Sequence, residues 1–308
     1  MRKTANPPSV PLLPPGLKKG DTIGLAPLAG PWGDQKFAAG VRFLTDLGFK
    51  IRLPPDSSQP FPYLAGSDQY RLDCFHELWR DPEIAAIMAV RGGYGCLRLI
   101  DAIDLDLIKK HPKILIGFSD VTVLLNGLYR HTGLITFHGP MLTTLAGMDK
   151  ESTEKFLLCL TRRETPALRP DRLKILRWGI ARGRLLGGNL TILSHLIGTP
   201  YEPSLADSIL FIEDIGEQPY RIDRMLTQLK LAGRFEGICG LMLGDFTNCG
   251  NIELIWNRVL ELIDRSIPIW ANFPVGHEKR NFILPVGVEA EMDSSSGSLI
   301  FCQPCIRE

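Results

Sequence analysis

A chain of 308 residues is long enough for two domains, and 44% hydrophobic against 22% charged residues is the balance of an ordinary globular protein. A formal net charge of +1 leaves no overall field to attract nucleic acid or an anionic membrane surface, and no apolar run approaches the length that spans a bilayer. The N-terminus, MRKTANPPSVPLLPPG, has no apolar core after its basic residues. It predicts an extended arm and not a signal peptide, so the expected location is the cytoplasm. Seven scattered cysteines fit reduced thiols better than a disulfide framework. Cys302-Gln-Pro-Cys305 has redox spacing but no second pair to form a zinc site, and no cofactor or metal is expected.

In chain order, residues 21–26 predict a strand stopped by Pro27. Residues 32–47 have helical spacing at Phe37, Val41, Phe43 and Leu44 and stop at Gly48. Residues 50–53 read as a strand, 54–62 as a Pro/Ser loop and 68–80 as a helix. The run 84–90 is apolar throughout, as a strand buried on both faces is. Residues 97–110 read as mostly helical. Residues 113–117 then form a short strand, Phe118-Ser119-Asp120 a turn, and 121–131 a helix with Val121, Leu124, Leu125 and Leu128 on one face. A strand at 134–138 and a helix at 150–161 follow. Strands alternating with helices predict an α/β domain with a parallel sheet, whose site lies at the carboxyl ends of the strands.

The polar segment 162–176, with Pro166 and Pro170, ends this pattern. The expected organisation is an N-terminal domain over 1–165, a linker over 166–180 and a smaller mixed α/β domain over 181–308. In the second half, Gly183-Arg184-Leu185-Leu186-Gly187-Gly188-Asn189 leads into a helical run at 190–197. A strand at 208–213 ends in acidic residues, a helix follows at 220–232, a strand at 237–244 and a helix at 254–263. β-like alternation closes the chain at 286–292 and 299–302.

Four stretches carry candidate chemistry. Ser119, on a strand-to-helix turn, either caps the helix or acts as a nucleophile beside the first-turn amides; the turn itself leaves both open. Arg91-Gly92-Gly93-Tyr94-Gly95 follows a strand and lets backbone approach a ligand, but it lacks a dinucleotide fingerprint or a Walker lysine. Glu213, at a strand end, is placed to hold an imidazole in one tautomer, whereas Asp214 and Glu217 read as a solvated acidic loop. His277, after Gly276 in a short loop, is free to turn into a cleft, and His138 beside Gly139-Pro140 is its one rival.

Taken together these stretches resemble the LD-carboxypeptidase family. The resemblance runs through Arg91-Gly92-Gly93-Tyr94-Gly95, Ile116-Gly117-Phe118-Ser119-Asp120, His138-Gly139-Pro140-Met141, Leu186-Gly187-Gly188-Asn189-Leu190, Phe211-Ile212-Glu213-Asp214 and Pro274-Val275-Gly276-His277. It implies a serine peptidase with Ser119, Glu213 and His277 as its triad and the backbone amides of Gly93 and Asp120 as its oxyanion hole. It also implies an N-terminal domain bearing the nucleophile, a C-terminal domain supplying the other two residues, and a cytoplasmic homodimer. The implied substrate is a small peptide ending in a D-amino acid, murein tetrapeptide, from which D-alanine is released. Such a peptidase needs a cation for the substrate carboxylate. Arg91, Arg184, Lys279 and Arg280 are candidates by location, and Tyr94 is a candidate substrate contact.

The family's microcin self-immunity branch hydrolyses acylated nucleotide analogues and resembles this chain less, because it has extra loop sequence and a tryptophan near the site. Trp178 lies near the matching region, but no long insertion accompanies it. A non-catalytic muropeptide-binding protein and a nicotinamide-dependent oxidoreductase are the alternatives from other classes. The three triad residue types weigh against the first, and the missing fingerprint weighs against the second.

Overall fold

The computed structural model describes residues 10–55, 61–164 and 167–308. The first nine residues of the arm, most of the 54–62 loop and part of the expected linker lie outside these. The chain runs β1 (Thr22–Ala26), α1 (Asp34–Asp46), β2 (Lys50–Arg52), α2 (Asp68–Arg80), β3 (Ile84–Ala89), α3 (Cys96–Leu99), α4 (Leu105–Lys110), β4 (Ile114–Gly117), α5 (Thr122–Thr132), β5 (Thr136–His138), α6 (Leu142–Leu145) and α7 (Lys150–Thr161). The second half runs β6 (Lys174–Arg177), β7 (Ile180–Asn189), α8 (Leu190–Leu196), β8 (Ser208–Ile215), α9 (Pro219–Leu231), β9 (Gly240–Thr247), α10 (Ile252–Leu262), β10 (Ile269–Ala271), β11 (Leu284–Val286), β12 (Glu289–Asp293) and β13 (Ser298–Phe301).

Two sheets result. The first has the order β11-β5-β4-β3-β1-β2, and its strands run parallel except β11. The second has the order β13-β12-β7-β8-β9-β10-β6, with β7 to β10 parallel and antiparallel strands on both edges. The expected α/β architecture is present, with one crossing that local pattern cannot reveal. β11 comes from the C-terminal half and pairs antiparallel with β5, Leu284 opposite His138.

Helix α5 shows why one apolar face understated its burial. Every residue from Thr122 to Tyr129 is buried, because the helix packs on β4 and β5 and also against α8 and β7 of the second half. Two of its buried polar residues are paired across that junction. Asn126 donates to the Gly187 carbonyl at 2.9 Å, and the Thr122 hydroxyl accepts from the Asn189 amide at 3.1 Å.

Other elements depart from expectation for identifiable reasons. The helix expected across 97–110 is interrupted, because Asp104 caps α4 by accepting from the amides of Asp106 and Leu107. Residues 183–189, whose glycines mask any strand signal, are the end of the ten-residue β7. At Gly187 a Cβ would lie 1.9 Å from the Phe211 carbonyl oxygen, so only glycine fits there. The expected linker over 166–180 contains edge strand β6, and β10 lies where no strand was expected, between α10 and Phe273. All seven cysteines are free.

Candidate active site

The site draws on the carboxyl ends of parallel strands in both sheets, which α5 joins by packing against each. From the first sheet come the turn after β4 and the glycine loop after β3. From the second come the end of β8 and the loop 274–282.

Ser119 holds φ at +60°, in the left-handed region that non-glycine residues rarely enter. Gly92 lies directly against it, since a Cβ there would sit 2.9 Å from Ser119 Cβ and 3.0 Å from its Oγ. Gly93, at φ +120°, stacks on Gly30, whose amide donates to the Gly92 carbonyl at 3.0 Å. Among the described residues the Gly93 amide has no acceptor. Ser119 does not cap α5; the residue before that helix is Val121, with no side-chain cap. The Asp120 carboxylate is buried and accepts from the Cys96 amide at 2.8 Å, which ties the glycine loop to the serine turn.

Glu213 is fully buried, and its Oε2 lies 2.7 Å from His277 Nδ1. Burial opposes the imidazolium, but the Glu213 bond and the nearby carboxylates of Glu213, Asp214 and Asp245 outweigh it and raise the His277 pKa. Burial likewise holds the Glu213 carboxyl above its ordinary range, against the pull of His277. The Phe118 ring, next to Ser119, meets the His277 ring edge-on with centroids 4.8 Å apart, and so joins the two halves of the site. His138, the rival imidazole, is wholly buried between Phe118 and Phe211, and neither ring nitrogen has a partner among the described residues. Burial depresses its pKa to about 3, so it stays neutral.

The loop bearing His277 is closed by the Phe282 amide donating to the Pro274 carbonyl at 2.7 Å. Asn281 braces it, accepting from the Gly276 amide at 3.3 Å and donating its own amide to Ser152 Oγ. A cavity of about 370 Å³ opens beside His277, walled by Phe118 and Pro140, with Lys36 and Lys279 at its exposed rim.

The structure places the other candidate residues as follows, and it corrects the reading of Asp214. Asp214 is not solvated: it is 2% exposed and accepts from Asn189 Nδ2, from the Thr191 amide and hydroxyl, and from the Ile215 amide. Arg184 pairs with Ser208 at the amino end of β8 and reaches the Ala206 carbonyl, at the strand end opposite Glu213. Arg280 is held by Asp149, Glu151 and Asp171. Arg91 donates to the Pro31 carbonyl at 2.5 Å, and Tyr94 pairs with Tyr63 at the exposed surface beside the glycine loop. Trp178 is exposed just before the amino end of β7, the end opposite Asn189. Lys36, Asn189 and Asp245 are site neighbours that the sequence reading missed. Only Asn189 had a signal, the glycine pair before it. Among the described residues no group of three His, Cys, Asp or Glu side chains is placed to hold a metal, and no helix is long and apolar enough to cross a membrane.

A serine on a strained turn, amides beside it and a carboxylate-bound imidazole across a cleft are the parts of acyl-transfer hydrolysis. Comparison with known proteins agrees. Residues 23–139 match the LD-carboxypeptidase N-terminal domain and residues 182–292 the LD-carboxypeptidase C-terminal domain. The chain is 38% identical over 299 residues to a probable murein peptide carboxypeptidase of Bacillus subtilis, covering 93% of each. It is 32% identical to the microcin C7 self-immunity protein of Escherichia coli, covering 92% of this chain and 94% of the other; that alignment runs to 323 positions, more than the whole of this chain. The solved muramoyltetrapeptide carboxypeptidase of Oxalobacter formigenes superposes with a TM-score of 0.81 at 29% identity, covering 92% of this chain and 99% of the other. The chain belongs to the LD-carboxypeptidase family and is a serine-type carboxypeptidase.

Proposed function

We propose that the protein releases the terminal D-alanine from murein tetrapeptide in cytoplasmic peptidoglycan recycling, acting as a homodimer, with Ser119, Glu213 and His277 as its triad. The carrying observation is the 2.7 Å contact of His277 Nδ1 with the buried Glu213 carboxylate. It engages Nδ1–H and leaves Nε2 as the free base. His277 takes the Ser119 proton as Oγ attacks the peptide carbonyl, and the amides of Gly93 and Asp120 receive the charge on the carbonyl oxygen. His277 then gives the proton to the leaving amine of D-alanine. Water, deprotonated by the same imidazole, releases the shortened peptide from Ser119.

Two observations support a murein peptide over the acylated nucleotides of the microcin branch: the chain carries no long insertion, and Trp178 lies at the far end of β7. The test is mass spectrometry of murein tetrapeptide incubated with wild type and with Ser119→Ala. Release of D-alanine by wild type alone is the expected result. Release by both overturns Ser119 as nucleophile. Release by neither overturns the substrate assignment.

A further inference from the structure

The pairing of β8 with β9 breaks next to the site. Ile212 faces Leu243 and Asp214 faces Phe246, so Gly244 and Asp245 together stand opposite Glu213 alone. This is a β-bulge, a device that redirects side chains at a sheet edge. The loop carrying His277 is laid onto the bulge in backbone contact. The Asp245 amide donates to the Val275 carbonyl at 2.9 Å. A Cβ at Gly244 would lie 2.3 Å from that carbonyl oxygen, and one at Gly276 would lie 3.1 Å from both Asp245 Cβ and Glu213 Oε2. The Glu278 amide faces the Asp245 carboxyl, and the Glu278 side chain is turned back by Thr247 Oγ1, which donates to it at 2.9 Å. Asp245 therefore holds the residues on both sides of His277, and its buried Oδ2 has no partner among the described residues.

We infer that Asp245 is a positioning residue of the Glu213–His277 pair, which fixes the imidazole's loop from the bulge and stabilises the imidazolium through its charge. This rests on the triad reading above. The groups that act on Asp245 and His277 are Glu213 and Asp214 on β8, and His277 and Glu278 on the loop. Burial first, then Glu278 and Glu213, raise the Asp245 pKa to about 7. A purely structural role would be served better by asparagine, whose oxygen accepts the same amide at no charge cost. Between the ordinary aspartate value and about 7, the unfolded chain has lost a proton that the folded chain keeps. The acid therefore costs stability as pH rises through that window, and the cost is complete above it. The bulge sets the Asp245 side chain against Gly276 and its carboxyl before the Glu278 amide, the two residues that flank His277, so its charge acts at the imidazole.

The experiment compares wild type with Asp245→Asn and Asp245→Ala. Histidine-labelled protein is titrated by NMR, with His277→Ala assigning the resonance, and kinetics follow on murein tetrapeptide. In Asp245→Asn the His277 midpoint moves to lower pH, because a charge favouring the imidazolium is gone. The plateau kcat falls about tenfold with KM unchanged, less than the loss of a direct oxyanion donor. The variant melts higher than wild type at pH 8 and equally at pH 4. An unchanged His277 midpoint overturns the inference, even if kcat falls. If Asp245→Ala does not fold, the asparagine variant still decides. The titration needs no substrate, so a wild type that leaves murein tetrapeptide intact refutes the substrate without touching this result.

Discussion

Asn189 and Asp214 join the carboxyl ends of two adjacent strands, Nδ2 donating to Oδ1 at 3.0 Å, next to the buried Glu213 carboxylate. The same Asp214 carboxylate takes the Thr191 amide at 3.0 Å and its hydroxyl at 2.8 Å, which pins the start of α8 to the end of β8. Asp214→Ala leaves buried donors on Asn189 and Thr191 unpaired. It is expected to lower stability by about 2–4 kcal/mol, read as a lower urea midpoint at unchanged slope. Asp214→Asn, which keeps an acceptor, loses less. An alanine variant with the wild-type midpoint contradicts the account.

Gly92 has no Cβ because Ser119 occupies the space. Its backbone is not in the left-handed region, so alanine there is conformationally permitted and any defect is one of contact. Gly92→Ala pushes on Ser119 Cβ and Oγ and on Met141 Cε, at 2.9, 3.0 and 3.3 Å. On the proposed mechanism it misplaces Ser119 against the amides of Gly93 and Asp120, and kcat is expected to fall about 10²–10³-fold while the urea midpoint stays near wild type. Equal losses of kcat and stability would assign the glycine to packing alone.

Much of this was legible because it is local. The turn at Ser119 sits between a short apolar strand and a periodic helix, and Glu213 directly follows four buried apolar residues. What was hidden depends on contacts distant in sequence. Asp214 belongs to an acidic run that looks solvated, and only the approach of Asn189 and Thr191 makes it a buried acceptor. β7 is masked by glycines whose purpose is the contact with Phe211 and Thr122. β11 is three residues long and joins a sheet whose other strands end about 150 residues earlier, which no local period encodes. Asp245 gave no signal because its role arises from a bulge in pairing.

Lys279 and Arg280 are adjacent, yet only the first faces the cavity beside His277. Arg280 is bound to Asp149, Glu151 and Asp171, and so fastens the loop to the start of α7 and to the segment before β6. The lysine is therefore the better candidate for the substrate carboxylate, with Lys36 across the rim. Lys279→Ala is expected to raise KM about tenfold or more, the worth of one charge-assisted hydrogen bond, with kcat little changed. Arg280→Ala is expected to lower stability and kcat together. Steady-state kinetics beside urea unfolding separates the two. A KM indifferent to Lys279→Ala moves the carboxylate site to Arg91 and Tyr94, in the glycine loop that lies against Ser119.

In the proposed mechanism His277 must lose its proton before it can take that of Ser119. Burial works against the imidazolium, but the bond from Nδ1 to Glu213, with Asp214 and Asp245 behind it, raises the His277 pKa above the ordinary 6.5. The acid limb of kcat/KM in wild type is therefore expected above pH 6.5. For a raised histidine, the stability gained from the pair is full below 6.5 and is lost as pH rises through the folded value. Glu213→Gln removes the largest of the favourable charges, so the acid limb shifts to lower pH and the His277 share of that stability loss shrinks. The amide also fails to hold the Nδ1–H tautomer, and the plateau rate is expected to fall about 10⁴-fold, as when a triad carboxylate becomes an amide. A pH–rate profile of both proteins at one substrate concentration well below KM reads the limb directly. If the limb stays in place while the rate falls, Glu213 acts by orientation alone and the imidazole's proton affinity is set by Asp214 and Asp245.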